Sequence, residues 1–206
     1  MGIVLLARHG ETDWNAEQRF QGHADRPLNA RGRAQAEALA ARLAGALLAA
    51  VYASDLRRAR ETAEIVARPH GLPVRTRPDL KEVDVGSWSG LTTTEAGERH
   101  PEEFSRWRTE GRPGWTGGET YEEMRERALG AVLEIGIAHA RETALVVAHG
   151  GTIRALLATA IGVDVHDYRR GHPAEPNGGL SGLRIEDGRL AGRLHPDETE
   201  ALLRLA

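Results

Sequence analysis

Ile3-Val4-Leu5-Leu6-Ala7-Arg8-His9-Gly10 and Ala144-Leu145-Val146-Val147-Ala148-His149-Gly150-Gly151 are the two stretches that decide the fold class. Each is a short run rich in Val, Ile and Leu that ends on a histidine and a glycine. Runs of this length and composition read as buried strands of a parallel sheet. In open α/β sheets, ligands bind outside the carboxyl ends of the strands. If the two strands are neighbours, His9 and His149 face one pocket, and the glycines let the backbone approach a ligand closely. A single histidine at a strand end is usually a loop residue satisfied by hydrogen bonds. The pair, with Arg8 beside one member, reverses that weighting.

Outward from these stretches, strands and helices alternate. A polar loop, Glu11 to Arg26, leads to a helix from about Ala30 to Ala44, with Ala34, Ala38, Leu39 and Leu43 at helical spacing. Ala49 to Ala53 reads as a strand. Ser54 reads as the N-cap of a helix that runs to Arg68, just before Pro69. A short strand is expected near Val74-Arg75-Thr76. Leu80 to Gly118 is less regular and holds Trp88, Trp107 and Trp115. Thr120 and Glu123 form a capping box for a helix reaching His139. A helix near Thr152 to Ile161 follows the second histidine strand, and Glu186-Asp187-Gly188 marks a hairpin. The expected architecture is one domain over residues 1–206. It is a three-layer α/β/α sandwich on a mostly parallel central sheet, with residues 88 to 118 as a partial lid.

Composition narrows the function. The chain has 206 residues, enough for a sizeable core, and a formal net charge of −3, which does not suit nucleic acid. No run approaches the roughly 18 apolar residues of a membrane span. Met1-Gly2 leads straight into a strand, so a soluble cytoplasmic protein is expected. Cysteine is absent, which excludes disulfides, thiolate catalysis and cysteine-ligated metal. The histidines show no metal-ligand spacing, so no metal and no cofactor are expected. Lys81 is the only lysine, so a lone arginine carries little information in this chain.

Two histidines and strand-end arginines suit phosphoryl transfer. Arginine's planar fork matches phosphate oxygens and stays charged, and histidine can be a covalent nucleophile. Arg58 lies at the start of the helix after the second strand and can reach an anion at that strand's end. Arg57 lies about 100° around the same helix and reads as solvated. A proton donor is also needed for an alkoxide leaving group. Glu82, after the third strand, could serve with a carboxyl raised by burial, and Asp84 is its rival.

Arg8-His9-Gly10-Glu11-Thr12-Asp13-Trp14-Asn15 resembles the RHG signature of the histidine phosphatase superfamily, in its phosphoglycerate mutase-like branch. Further blocks agree: Phe20-Gln21-Gly22, Ser54-Asp55-Leu56 with Arg58, Glu82 with Gly86 and Trp88, Gly117 to Thr120, and Ala148-His149-Gly150-Gly151. RHG alone would recur by chance; the ordered blocks would not. The resemblance implies that His9 is the phosphorylated nucleophile. Arg8, Arg58 and His149 would hold the phosphoryl oxygens, and Glu82 would protonate the leaving oxygen. Asn15, Gln21, Gly22 and the N–H of Gly150 would add donors. His23 sits at the pocket rim with no assigned role.

Mutases of this branch carry a longer insertion between acid and second histidine, with a lysine and paired arginines. Here Glu82 to His149 contains no lysine and no Arg-Arg pair; Arg99, Arg106, Arg108 and Arg112 are scattered and read as solvated. The reading is therefore a phosphatase acting on a small phosphorylated metabolite. A mutase is the alternative and a non-catalytic phospho-ligand binder the third. The natural substrate is not legible, and oligomeric state is open, a homodimer being one option.

Overall fold

The computed structural model describes residues 1–204. In chain order the elements are β1 (Gly2–Arg8), α1 (Asp13–Ala16), α2 (Ala30–Leu43), β2 (Leu48–Ser54), α3 (Arg57–Ala67), β3 (Val74–Arg77), α4 (Thr93–Arg99) and α5 (Pro101–Glu110). Then come α6 (Tyr121–Ala138), β4 (Thr143–Ala148), α7 (Gly150–Ala160), α8 (Val165–Gly171), β5 (Leu180–Glu186), β6 (Arg189–Arg193) and α9 (Pro196–Leu202).

The strands form one six-stranded sheet in the order β3-β2-β4-β1-β5-β6. The first four are mutually parallel; β5 pairs antiparallel with β1, and β6 antiparallel with β5. β1 and β4 are central and adjacent, which explains their uninterrupted apolar runs: both faces are covered. In their register Arg8 pairs with Ala148, and the His9 N–H donates to the Ala148 carbonyl at 3.1 Å. The chain therefore delivers His9 and His149 side by side at the same sheet edge. The β5–β6 turn carries Asp187 at φ 49° and Gly188 at φ 73°, the two left-handed positions of a tight hairpin.

Strand alternation sorts the core into layers. Ile3, Leu5, Ala7, Val51, Ala53, Leu145 and Val147 pack with Leu39, Leu43, Ala63 and Val66 of α2 and α3. Val4, Leu6, Tyr52, Ala144 and Val146 point to the opposite face, against Val132, Ile135, Ile153 and Leu156 of α6 and α7. A third cluster stands over the carboxyl edge, where Trp88 and Trp115 pack with Val83, Val85, Tyr121 and Met124. Fully burying a side chain of Leu or Val size contributes about 1.5–3 kcal/mol, so the two sheet faces supply most of the cohesion.

Several local expectations are corrected. Ser54 does not cap α3: it ends β2, and its hydroxyl accepts from Leu56 N–H at 3.3 Å, while α3 begins at Arg57. The donor left at Arg57 is met from outside, by Asp25 Oδ1 at 2.6 Å. In α2 the buried face is Gly32, Ala36, Leu39, Ala40 and Leu43, and Ala34 and Ala38 are exposed. Alanine occupies both faces of this helix, so its spacing does not reveal which is inward. α7 begins at Gly150 rather than Thr152, and the irregular tryptophan segment contains α4 and α5.

Candidate active site

The two histidines at the sheet edge are held in different hydrogen-bonding states. His9 Nδ1 lies 2.7 Å from the Gly10 carbonyl, which can only accept. Nδ1 therefore carries the proton, and Nε2 keeps its lone pair. Arg58 Nε stands 3.2 Å from both His9 Nε2 and His149 Nδ1. His149 thus accepts at Nδ1 and carries its proton on Nε2, a buried donor with no partner among the described residues. The ring centroids are 5.1 Å apart. The loop beneath is pinned: Asn177 Nδ2 donates to the His9 carbonyl at 2.9 Å, and Gly10 N–H donates to Thr62 Oγ1 at 3.0 Å.

Arg58 is fixed by its own bonds. Its Nη1 and Nη2 donate to the carbonyls of Ala24 at 2.8 Å and Gly22 at 2.9 Å. Arg8 Nη1 donates to the Glu175 carbonyl at 2.6 Å, and its buried Nε has no partner among the described residues. Burial, reinforced by Arg58 and Arg8, holds His9 well below the usual histidine range; burial and then Arg58 do the same to His149. Both imidazoles are neutral at pH 7. Burial lowers Arg8 as well, and brings Arg58 down to about 10, which leaves it charged at neutral pH. A lone-pair nitrogen and two guanidiniums line one cleft, and the buried, unpartnered N–H donor of His149 lies beside them. That arrangement attracts an anion and offers it a nucleophile.

Glu82 closes the site from the other side. A 3₁₀ turn, Pro78–Leu80, separates it from β3. Its Oε2 accepts from Gly151 N–H at 2.9 Å, and its Oε1 from Thr152 N–H at 3.1 Å and Val83 N–H at 3.0 Å. The carboxylate thus sits on the amino end of α7, where the helix dipole and unpaired N–H groups favour negative charge. Only glycine permits this: a Cβ on Gly151 would stand 2.3 Å from Glu82 Oε1. The carboxyl is half-buried rather than sealed. Its backbone carbonyl accepts from His23 Nε2 and Arg127 Nη2, each at 2.9 Å, so His23 props the acid's main chain. Asp84 turns away from the cleft and accepts from Gly86 N–H at 3.0 Å.

The cleft between these groups encloses about 170 Å³. Arg8, His9, Arg58 and Glu82 line it together with Asn15, Gln21 and Gly22, and His149 is fully buried beside His9. Asn15 Oδ1 accepts from Thr12 N–H, and Gln21 Oε1 accepts from the Thr12 hydroxyl, leaving both side-chain amide nitrogens uncommitted. Two glycines sit differently from expectation. Gly22 acts through its carbonyl, on Arg58, and Gly151 rather than Gly150 lines the cleft. Trp107 and Trp115, expected only as part of the partial lid, also line it, as do Tyr121, Arg19, Arg154 and Arg169, which the sequence reading left out of the site. Arg154 had one signal, its place five residues after His149 on the helix that follows it; Arg169 had none. Among the described residues no group of three His, Asp or Glu side chains could hold a metal ion.

The family model for the histidine phosphatase superfamily, branch 1, matches residues 4–197. The chain belongs to that superfamily. It is 44% identical over 163 residues to phosphoglycerate mutase-like protein 4 of Arabidopsis thaliana, covering 76% of this chain and 70% of that protein. It is 35% identical to phosphoserine phosphatase 1 of Hydrogenobacter thermophilus, covering 80% and 79%. Among solved structures, Bacillus stearothermophilus YhfR superposes with a TM-score of 0.85 at 34% identity, over 91% of this chain and 93% of that one. A mycobacterial glucosyl-3-phosphoglycerate phosphatase complexed with VO3 superposes at 0.83 with 30% identity, over 92% and 97%. This histidine phosphatase therefore shares fold and family with phosphatases of small metabolites.

Proposed function

We propose that this protein is a metal-independent phosphomonoesterase that works through a phosphohistidine on His9. The observation that carries the reading is the Nδ1–H bond of His9 to Gly10, which leaves Nε2 unprotonated between Arg58 and the unpartnered donor of His149. In the first step Nε2 attacks phosphorus and the bond to the ester oxygen breaks. That oxygen leaves with a proton that the substrate's phosphate monoanion brings in and Glu82 relays to it. Charge on the transferring oxygens is met by Arg8, Arg58 and His149 Nε2–H. Asn15 and Gln21 offer further donors from their free amides. In the second step Glu82 takes a proton from water, the water oxygen bonds to phosphorus, and the P–N bond breaks to release inorganic phosphate and regenerate His9.

The segment over the site, residues 88 to 118, places no arginine or lysine in the reaction cleft, which favours hydrolysis over return of the phosphoryl group. Arg99, Arg106, Arg108 and Arg112 are all exposed and away from the reaction cleft. The test is H9A. The variant should fold and lose at least the 10³-fold or so expected of a covalent catalyst's nucleophile. Wild-type enzyme quenched during turnover should carry acid-labile phosphate. Near-normal hydrolysis by H9A overturns the assignment.

A further inference from the structure

The cleft holds more positive charge than a phosphate ester uses. Arg8 and Arg58 match the two charges of a phosphomonoester. Arg154 and Arg169 line the same cleft, and neither makes an ion pair among the described residues. Arg19 shows the contrast: it also lines the cleft, but Glu17 at 2.6 Å and Glu95 at 3.0 Å neutralise it. The one carboxylate lining the cleft, Glu82, already accepts from Val83, Gly151 and Thr152.

Arg169 is held in place, and Arg154 is less constrained. Arg169 lies 3.7 Å from the Tyr121 ring centroid and donates to the Gly111 carbonyl, and its buried Nε has no partner among the described residues. Arg154 makes a single long bond, Nε to the Gly150 carbonyl at 3.4 Å. It is one of the groups that lower Arg169, so the two charges feel each other. Two like charges, half-buried, with no ion pair and only Glu82 as a nearby opposite charge in the cleft, oppose folding and attract an anion. With Trp107 they also wall an adjoining chamber of about 300 Å³, so they stand where the reaction cleft opens into it. Arg154 rises from α7, whose first turn holds Glu82, which places the pair on the leaving-group side.

We infer that Arg154 and Arg169 form a second anion subsite, and that the enzyme selects small phosphomonoesters whose leaving group carries a carboxylate or a further phosphate. The inference rests on the phosphatase reading above. The pair rises from α7 and α8; Arg108 of the segment over the site lines the adjoining chamber but not the reaction cleft.

The test compares matched substrates with purified enzyme: 3-phosphoglycerate against glycerol 3-phosphate for a carboxylate, and fructose 1,6-bisphosphate against fructose 6-phosphate for a second phosphate. At least one acidic member should exceed its neutral partner in kcat/KM by about tenfold or more, the order expected of one charge-assisted pair. Whichever pair responds identifies the anion. R154Q should bring that ratio towards one, and R154K, which keeps the charge, should retain most of it. Wild-type ratios near one in both pairs overturn the subsite, as does a ratio that R154Q leaves unaltered. p-Nitrophenyl phosphate separates the two levels. Turnover of it without acidic preference removes only the subsite, whereas no turnover of any ester removes the phosphatase reading too.

Discussion

At the scale of single residues, the assignment of acid roles turns on two neighbours with the same chemistry. Glu82 lines the cleft; Asp84 is tied to Gly86 N–H and faces His23 at 3.8 Å. General acid catalysis contributes about 10²–10⁴-fold, and most where the leaving alkoxide is basic. E82Q should lose about that much kcat/KM on an alkyl phosphate and clearly less on p-nitrophenyl phosphate, whose phenolate leaves unaided. D84N should show no such selectivity. Measuring both variants on both substrates decides it, and a larger selective loss in D84N transfers the role. The residues themselves were unequally legible. His9 and His149 announce themselves by ending two apolar strands. Glu82 and Asp84 could be separated only by resemblance, because a loop acid has no periodicity to read. Arg154 and Arg169 were hidden by composition: with one lysine in the chain, arginine serves every surface role as well as the functional ones.

At the scale of elements, the site depends on where helices begin. α7 starts directly after His149, so its first N–H groups, on Gly151 and Thr152, meet the Glu82 carboxylate. G151A tests this joint. The added methyl would stand 2.3 Å from Glu82 Oε1, so either the acid or the helix start must move. Overpacking of this kind costs about 1–3 kcal/mol, and a displacement near 1 Å can cost about 100-fold in rate. We expect kcat/KM on alkyl phosphates to fall about 10–100-fold, with a lower Tm. Unaltered kinetics would show that Glu82 does not need its seat on α7. The start of α3 shows why element boundaries were harder to read than elements. Ser54 is a good cap by identity, but Asp25, 32 residues from Arg57 in sequence, supplies the acceptor. A cap delivered across the fold leaves no local trace. The same holds for Arg127 of α6, which grips the carbonyls of Asp79, Lys81 and Glu82 and the carboxylate of Glu119.

At the scale of the whole molecule, the sheet, the buried charges and the chemistry meet in how the protein responds to its solution. The site is built from imidazole, guanidinium and one carboxylate, so hydrolysis should survive exhaustive chelation; loss with EDTA and recovery with Mg²⁺ or Zn²⁺ would overturn the metal-independent mechanism. Acid is the more demanding condition. His9 and His149 are held neutral by burial first and by Arg58 next, so their folded pKa values lie well below 6.5. The unfolded chain protonates both near pH 6.5, and the folded chain does not. Below that pH the unfolded state binds more protons, so stability falls as pH falls, until the folded values are reached. At pH 5.5 each histidine should lower stability by on the order of 1 kcal/mol relative to neutral pH. His70, also lowered by partial burial, acts in the same direction with a smaller share. Catalysis should run the other way: His9, the proposed nucleophile, is already unprotonated, so kcat/KM should show no loss from its titration as pH drops through 6.5. The measurement is urea unfolding at pH 7.5 and 5.5 for wild type, H9N and H149N. Each variant should be less acid-sensitive than wild type by the share of its own histidine. An acid sensitivity unaltered in both variants would mean that the buried histidines are not what the fold protects from protons.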